Sequence, residues 1–196
     1  MSAPHRSFDP RRVGGLETTA WVSYYRRDWP RLLRAAVGLT RHTFGLPWPH
    51  TLCGAWLVLR ANQQWAPTHN DPAAARATMR RFYALLRRRD AATFDPAVAA
   101  ELEVEWWRVH REHQYGAGGD HDDEGPLIDA LSSLYAYVYG VPPADVHRAA
   151  QQRALAMGHS DRWVAQGRDP ASPLIGEVRA ALVRSYAALL SAVHVP

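Results

Sequence analysis

An all-α fold is predicted for this chain, a single-domain multi-helix bundle of about eight helices with short loops, and three observations predict it. Apolar residues recur at i, i+3 and i+4 through most of the sequence. Capping residues followed by proline punctuate it at regular intervals. Strand-like alternation is weak, because the one β-capable stretch, 134–141, lies inside a helical pattern.

The clearest helix starts are Asp71-Pro72, Asp95-Pro96 and Ser172-Pro173. An Asp or Ser side chain accepts the free N–H groups of a first turn, and proline has no N–H to satisfy there. Each pair opens a stripe: Ala75, Met79, Phe82 and Leu86; then Val98, Leu102, Trp106 and Val109; then Ile175, Val178, Leu182, Tyr186, Leu189 and Val193. Further helices are expected over 18–28, 30–44, 126–139 and 143–166, several of them stopping at a glycine. The segment from Thr51 to Trp65 is apolar almost all round in its first two turns, which predicts a buried central helix. Residues 1–16 are expected to be disordered and 17–196 to form a single helical domain. The loop 116–125, with four acids in five positions, is expected to be mobile. No internal repeat is visible.

Length and composition suit one globular domain of 196 residues, 47% hydrophobic and 21% charged. The apolar run from Leu52 to Leu59 is far short of the roughly 20 residues that span a bilayer. The first residues lack the apolar core of a secretory signal. Cys53 is alone, so no disulfide framework is possible, and its apolar neighbours predict an inert core thiol. A cytoplasmic protein is expected. All 23 basic side chains are arginine, as GC-rich coding would produce. They are unevenly placed: residues 1–90 carry 15 Arg against 5 acids, and residues 91–196 carry 8 against 14. That asymmetry suits either two mutually attracting halves or a polyanion-binding first half.

Three places could carry chemistry. At the end of the central helix, Arg60, Gln63 and Trp65 gather directional polar groups near an apolar stripe, as a ligand pocket would. In the segment Glu101 to His113, Glu105 and His110 could face inward. His110 and His113, one turn apart, are weak metal candidates with Glu103 or Glu105, but the Glu-x-x-His pairs of a di-iron bundle are missing. Arg153 falls on the apolar face of its helix, so it must pair with a carboxylate from another helix, Glu105 for instance, or serve as an anion hook. The acidic loop lacks the ligand spacing of an EF-hand. No metal site or cofactor is predicted, and phosphate-loop, dinucleotide, nucleophile-elbow and kinase signatures are missing.

These observations favour a non-catalytic binding or regulatory protein that acts through partner contacts. The alternative is a small-molecule-binding or redox-type helical enzyme using Arg60, Gln63, Trp65, Glu105, His110 and Arg153. A second alternative is polyanion binding by the Arg-rich half, although no nucleic-acid module is recognisable. A protein or small-molecule partner is expected, and a membrane is not.

Overall fold

Helix starts in this chain are set by short polar caps and prolines. The computed structural model describes residues 6–66, 68–90, 93–115 and 124–194. Within them lie α1 (Pro10–Tyr25), α2 (Trp29–Phe44), α3 (Trp48–Trp65), α4 (Pro72–Asp90), α5 (Pro96–Tyr115), α6 (Gly125–Tyr139), α7 (Pro143–Ala165) and α8 (Leu174–Val193). Asp71 and Asp95 cap their helices as predicted, whereas α8 starts one residue later than expected, with Pro173 rather than Ser172 at its cap position. Asp71 accepts from the Ala74 N–H at 2.9 Å, Asp95 from Ala97 at 2.7 Å, and the Ser172 hydroxyl from Leu174 at 3.3 Å. Asp9 caps α1 and Asp28 caps α2 in the same way. Gly45 and Gly140 end α2 and α6 in the left-handed conformation.

Each helix packs mainly on its neighbours in sequence, and α8 returns to pack on α1, so the eight form a closed ring. One core cluster joins α3, α4, α5 and α6 around Met79, Phe82, Val104 and Trp107. Another joins α1, α6, α7 and α8 around Val13, Tyr139, Val146 and Tyr186. The α4 stripe Ala75, Met79, Phe82 and Leu86 is buried as predicted, and so is that of α8 from Val178 to Val193, while Ile175 at its start is half-buried. The lightest seam of the ring lies between α2 and α3.

Four expectations are corrected. Residues 10–16 are helical rather than disordered, and Phe8 before them is buried. α3 is not a buried central helix. It buries only the small residues Thr51, Gly54, Ala55 and Ala61, while Trp56 is 61% exposed. The reason is close approach: a Cβ on Gly54 would lie 3.1 Å from Thr40 Cγ2 and 3.4 Å from Phe82 Cε2. The small side of α3 is thereby pressed against α2 and α4, and the large residues are left outside. Cys53 accordingly is exposed rather than a core thiol. On α5 the buried line is Ala100, Val104 and Trp107, with Leu102, Trp106 and Val109 only half-buried and Val98 exposed. The acidic loop lies outside the described residues, except for Glu124 and Gly125 at the start of α6.

The α1–α8 contact is tighter still. A Cβ on Gly14 would lie 2.9 Å from both the backbone N and Cγ2 of Val183. Backbone cannot rotate away as a side chain can, so the helices must part. Gly14→Ala is expected to destabilise the fold by about 1–3 kcal/mol despite alanine's better helix propensity. Urea denaturation checks this, and a stabilised variant would show that the contact is looser than described.

Candidate functional site

The interior of the ring is polar at its centre. Arg153 of α7 pairs with Glu17 of α1 through two bonds, Nη2 to Oε1 at 2.5 Å and Nη1 to Oε2 at 3.1 Å. Tyr186 of α8 donates its hydroxyl to Glu17 Oε2 at 2.6 Å. The guanidinium lies 5.9 Å from the Trp21 ring centre and 5.6 Å from that of Trp106. Burial opposes the Arg153 charge, but Glu17, with Tyr135 and Tyr186 beside it, outweighs that and holds the proton more firmly than usual. Burial pushes the Tyr135 phenol up to about 12, while the Arg153 charge partly opposes it. Tyr186 is pushed well above the usual phenol range by burial and then by the Glu17 charge.

A second acid, half-buried, stands at the same interior. Glu103 of α5 accepts the Tyr83 hydroxyl at 2.6 Å. Burial raises its carboxyl above the ordinary value, against the lowering effects of the Tyr83 bond and the Arg153 charge. A carboxyl raised in the folded state binds its proton more tightly there than in the unfolded chain. Stability from this group is therefore lost as pH climbs above the ordinary 4.5. Glu103→Gln, whose amide oxygen can still accept from Tyr83, is expected to match the wild type at low pH. Its relative stability should then rise through the carboxylate range and level off above it. Denaturation midpoints measured across pH check this, and a pH-independent difference would contradict it.

The sequence-predicted residues separate into distinct places. Arg153 meets a carboxylate from another helix, as its apolar surroundings require, but the partner is Glu17 and its fork is occupied. Glu105 instead sits on the surface, joined to Arg108 at 2.7 Å, with Arg108 reaching on to Glu112 at 2.5 Å. The bond to Arg108 holds the Glu105 carboxyl below the usual range. His110 faces Asp161 of α7 at 3.2 Å, and Gln114 donates to the same carboxylate at 2.7 Å, so this trio ties α5 to α7. Trp65 lies 6.0 Å from Trp107, with the Arg111 guanidinium 4.7 Å over its ring. Arg60 and Gln63 are exposed where α3 emerges into solvent; Gln64 is the member of that turn that faces the protein, accepting from Thr78 at 2.8 Å. Among the described residues no three His, Cys, Asp or Glu side chains converge as metal ligands, His110 and His113 included.

The sequence does not single out Glu17, and it offers Glu103 only as a companion of the metal candidates His110 and His113. Glu17 lies in the segment where disorder and then an aromatic helix were expected, although Val13, Gly14 and Thr18 mark its face as inward. Glu103 follows from a rotation of the α5 seam by one residue.

Among the described residues, the exposed face of α2 and α3 gathers most of the large apolar side chains that face solvent. Trp29 and Leu33 on α2 are 52% and 51% exposed, four residues apart. Trp48, Leu52 and Trp56 on α3 are 58%, 55% and 61% exposed at the same spacing. Between them runs a groove walled by Leu33, Val37, Gly38 and Trp48, with Arg34, Arg41 and His42 among its lining. Arg41 is fixed there: its guanidinium lies 4.5 Å from the Trp48 ring centre and donates to the Leu46 carbonyl at 2.9 Å. Burial, then the charges of Arg12 and Arg41, hold His42 below the usual imidazole range, so it is neutral at pH 7. No helix among the described residues is long and apolar enough to cross a membrane.

The chain matches no family model, no curated protein and no solved structure.

Proposed function

We propose that this protein is a non-catalytic binding or regulatory module whose α2–α3 face takes up a partner protein. One observation carries the reading: five large apolar side chains, three of them tryptophans, stand more than half exposed in two helical stripes on adjacent helices. Contiguous apolar surface of this kind marks interaction sites in otherwise ordinary globular proteins, and aromatic residues dominate interface energetics. The small-molecule reading has less support, because its residues stand in separate structural networks and its strongest anion-binding group is already bonded to Glu17.

Cys53 provides the test. It is the sole cysteine, it is exposed, and it lies on α3 between Leu52 and Trp56. The protein carrying a maleimide-linked photo-crosslinker on Cys53 is expected to yield a discrete protein adduct in extract of its own source cells. Leu52→Ser with Trp56→Ser should abolish the adduct while leaving the helical circular dichroism and melting temperature nearly unchanged. No adduct, or one indifferent to these substitutions, would overturn the reading.

A further inference from the structure

We propose that the groove between α2 and α3 receives an acidic amphipathic helix of a partner protein, a proposal that rests on the partner-binding reading above. The apolar part of the argument is geometric. The stripes advance by four residues, 29 and 33 on α2 and 48, 52 and 56 on α3, and the groove between them is apolar along Leu33, Val37 and Trp48. A helix presenting apolar residues at i, i+3 or i+4 and i+7 lays them into such a groove at matching intervals.

The charge of the groove chooses among occupants. Residues 29–89, which hold α2 and α3 and nearly all of α4, contain ten arginines and a single acid, Asp71. Arg34 and Arg41 lie along the groove itself, and Arg60 continues the α3 stripe one turn beyond Trp56. Among the described residues, the ion pair that crosses between the two halves of the sequence, Glu17–Arg153, takes its acid from the basic half and sets no carboxylate against the groove arginines. Guanidinium forks bind carboxylates with two parallel hydrogen bonds, so flanking Asp or Glu on the incoming helix complete the match.

Other occupants fit less well. A second copy docked by the same face would set arginine against arginine. Docked by its acidic half it would bring almost no apolar ridge, since Val98 is the one large apolar side chain exposed there among the described residues. Nucleic acid would pair with the arginines but offers nothing to Leu33, Val37 or Leu52. An anionic bilayer suits exposed tryptophan and arginine, but it has no ridge to fill a groove between two helices.

The test pans a display library of random peptides of about 20 residues on the full-length protein and measures the enriched sequences by fluorescence anisotropy. The expected binders carry apolar residues at helical spacing flanked by Asp and Glu. Their affinity should fall about tenfold or more in Trp48→Ser and in Arg34→Glu, and should weaken with added salt. Circular dichroism on both variants confirms that they fold. Neutral or basic binders that depend on Trp48 but ignore Arg34→Glu would overturn the acidic partner while leaving the partner-binding reading intact. No enriched peptide on this face would overturn the proposal, and absence of a Cys53 adduct as well would overturn both. Trp48-dependent binding to vesicles of phosphatidylglycerol and phosphatidylcholine without any peptide binding, or a Trp48-dependent dimer in light scattering, would also overturn it in favour of a membrane or a second copy.

Discussion

Glu17→Gln is expected to destabilise the protein by about 3–5 kcal/mol, more than Arg153→Met does. The two sides of this pair differ in what they can do when left alone. Glu17 without Arg153 can take up a proton and still accept the Tyr186 hydroxyl, so a buried charge disappears at the cost of protonation. Arg153 without the Glu17 carboxylate keeps its charge at any accessible pH, and the amide of glutamine offers it one neutral acceptor in place of a bidentate anion. The side chains of the pair are only 13% and 5% exposed, so water offers little relief. Chemical denaturation of both variants and of the double variant Glu17→Gln/Arg153→Met checks the order. The double variant should recover much of the loss, and additive losses would show that the pair is not coupled.

Trp163→Ala is expected to cost about 3–5 kcal/mol, the range for emptying a large buried aromatic site. Trp163 is among the most deeply buried large side chains in the described chain, at 2% exposure, and its ring meets that of Tyr25 edge-on at 6.2 Å. It also does what a purely apolar ring could not. Its indole N–H donates to the Asp169 carbonyl at 2.8 Å, while its own backbone carbonyl accepts from Arg168 at 3.1 Å. Those two bonds brace a turn in which Gly167 and Arg168 both have positive φ, 93° and 64°. A non-glycine residue in that conformation is held there by its surroundings. Trp163→Phe should therefore cost about 1–3 kcal/mol through the unmatched Asp169 carbonyl and the smaller ring. Amide exchange at Arg168 should quicken in it by more than global stability explains. Equal losses for Phe and Ala would mean that the volume of the ring contributes nothing.

The number and order of helices were legible because caps and prolines are local chemistry. Asp71, Asp95 and Ser172 each act on an N–H two or three residues away, which the sequence displays directly. Asp9-Pro10 carries the same signature, but it stands within a polar, arginine-bearing start whose composition suits a disordered segment equally well. Burial within a helix was harder to read. In α3 apolar character goes all the way round, so hydropathy alone cannot say which side finds a neighbour; side-chain size could have, because Thr51, Gly54 and Ala55 form the one side that lets α2 and α4 approach. That Arg153 must meet a carboxylate was legible from electrostatics alone. Which carboxylate was not, since Glu17 lies 136 residues away in sequence and the ring brings them together. The exposed α2–α3 face escaped for the same reason as α3 itself: a stripe of Trp48, Leu52 and Trp56 looks identical whether it faces the interior or a partner.

The closure of α8 onto α1 makes the order of the chain partly arbitrary. The Arg6 guanidinium donates to the carbonyls of Tyr139 and Val193, and the His194 ring lies 3.3 Å from the Arg6 carbonyl. The two ends of the described chain are therefore neighbours, and every principal helix contact is either between consecutive helices or across this junction. A short linker from residue 194 to residue 6, with new ends cut at 45–47 where the contact is lightest, would make α3 first and α2 last and keep every other pair joined. Such a circular permutant should fold, and the only contact it would turn from local to distant is the seam between α2 and α3.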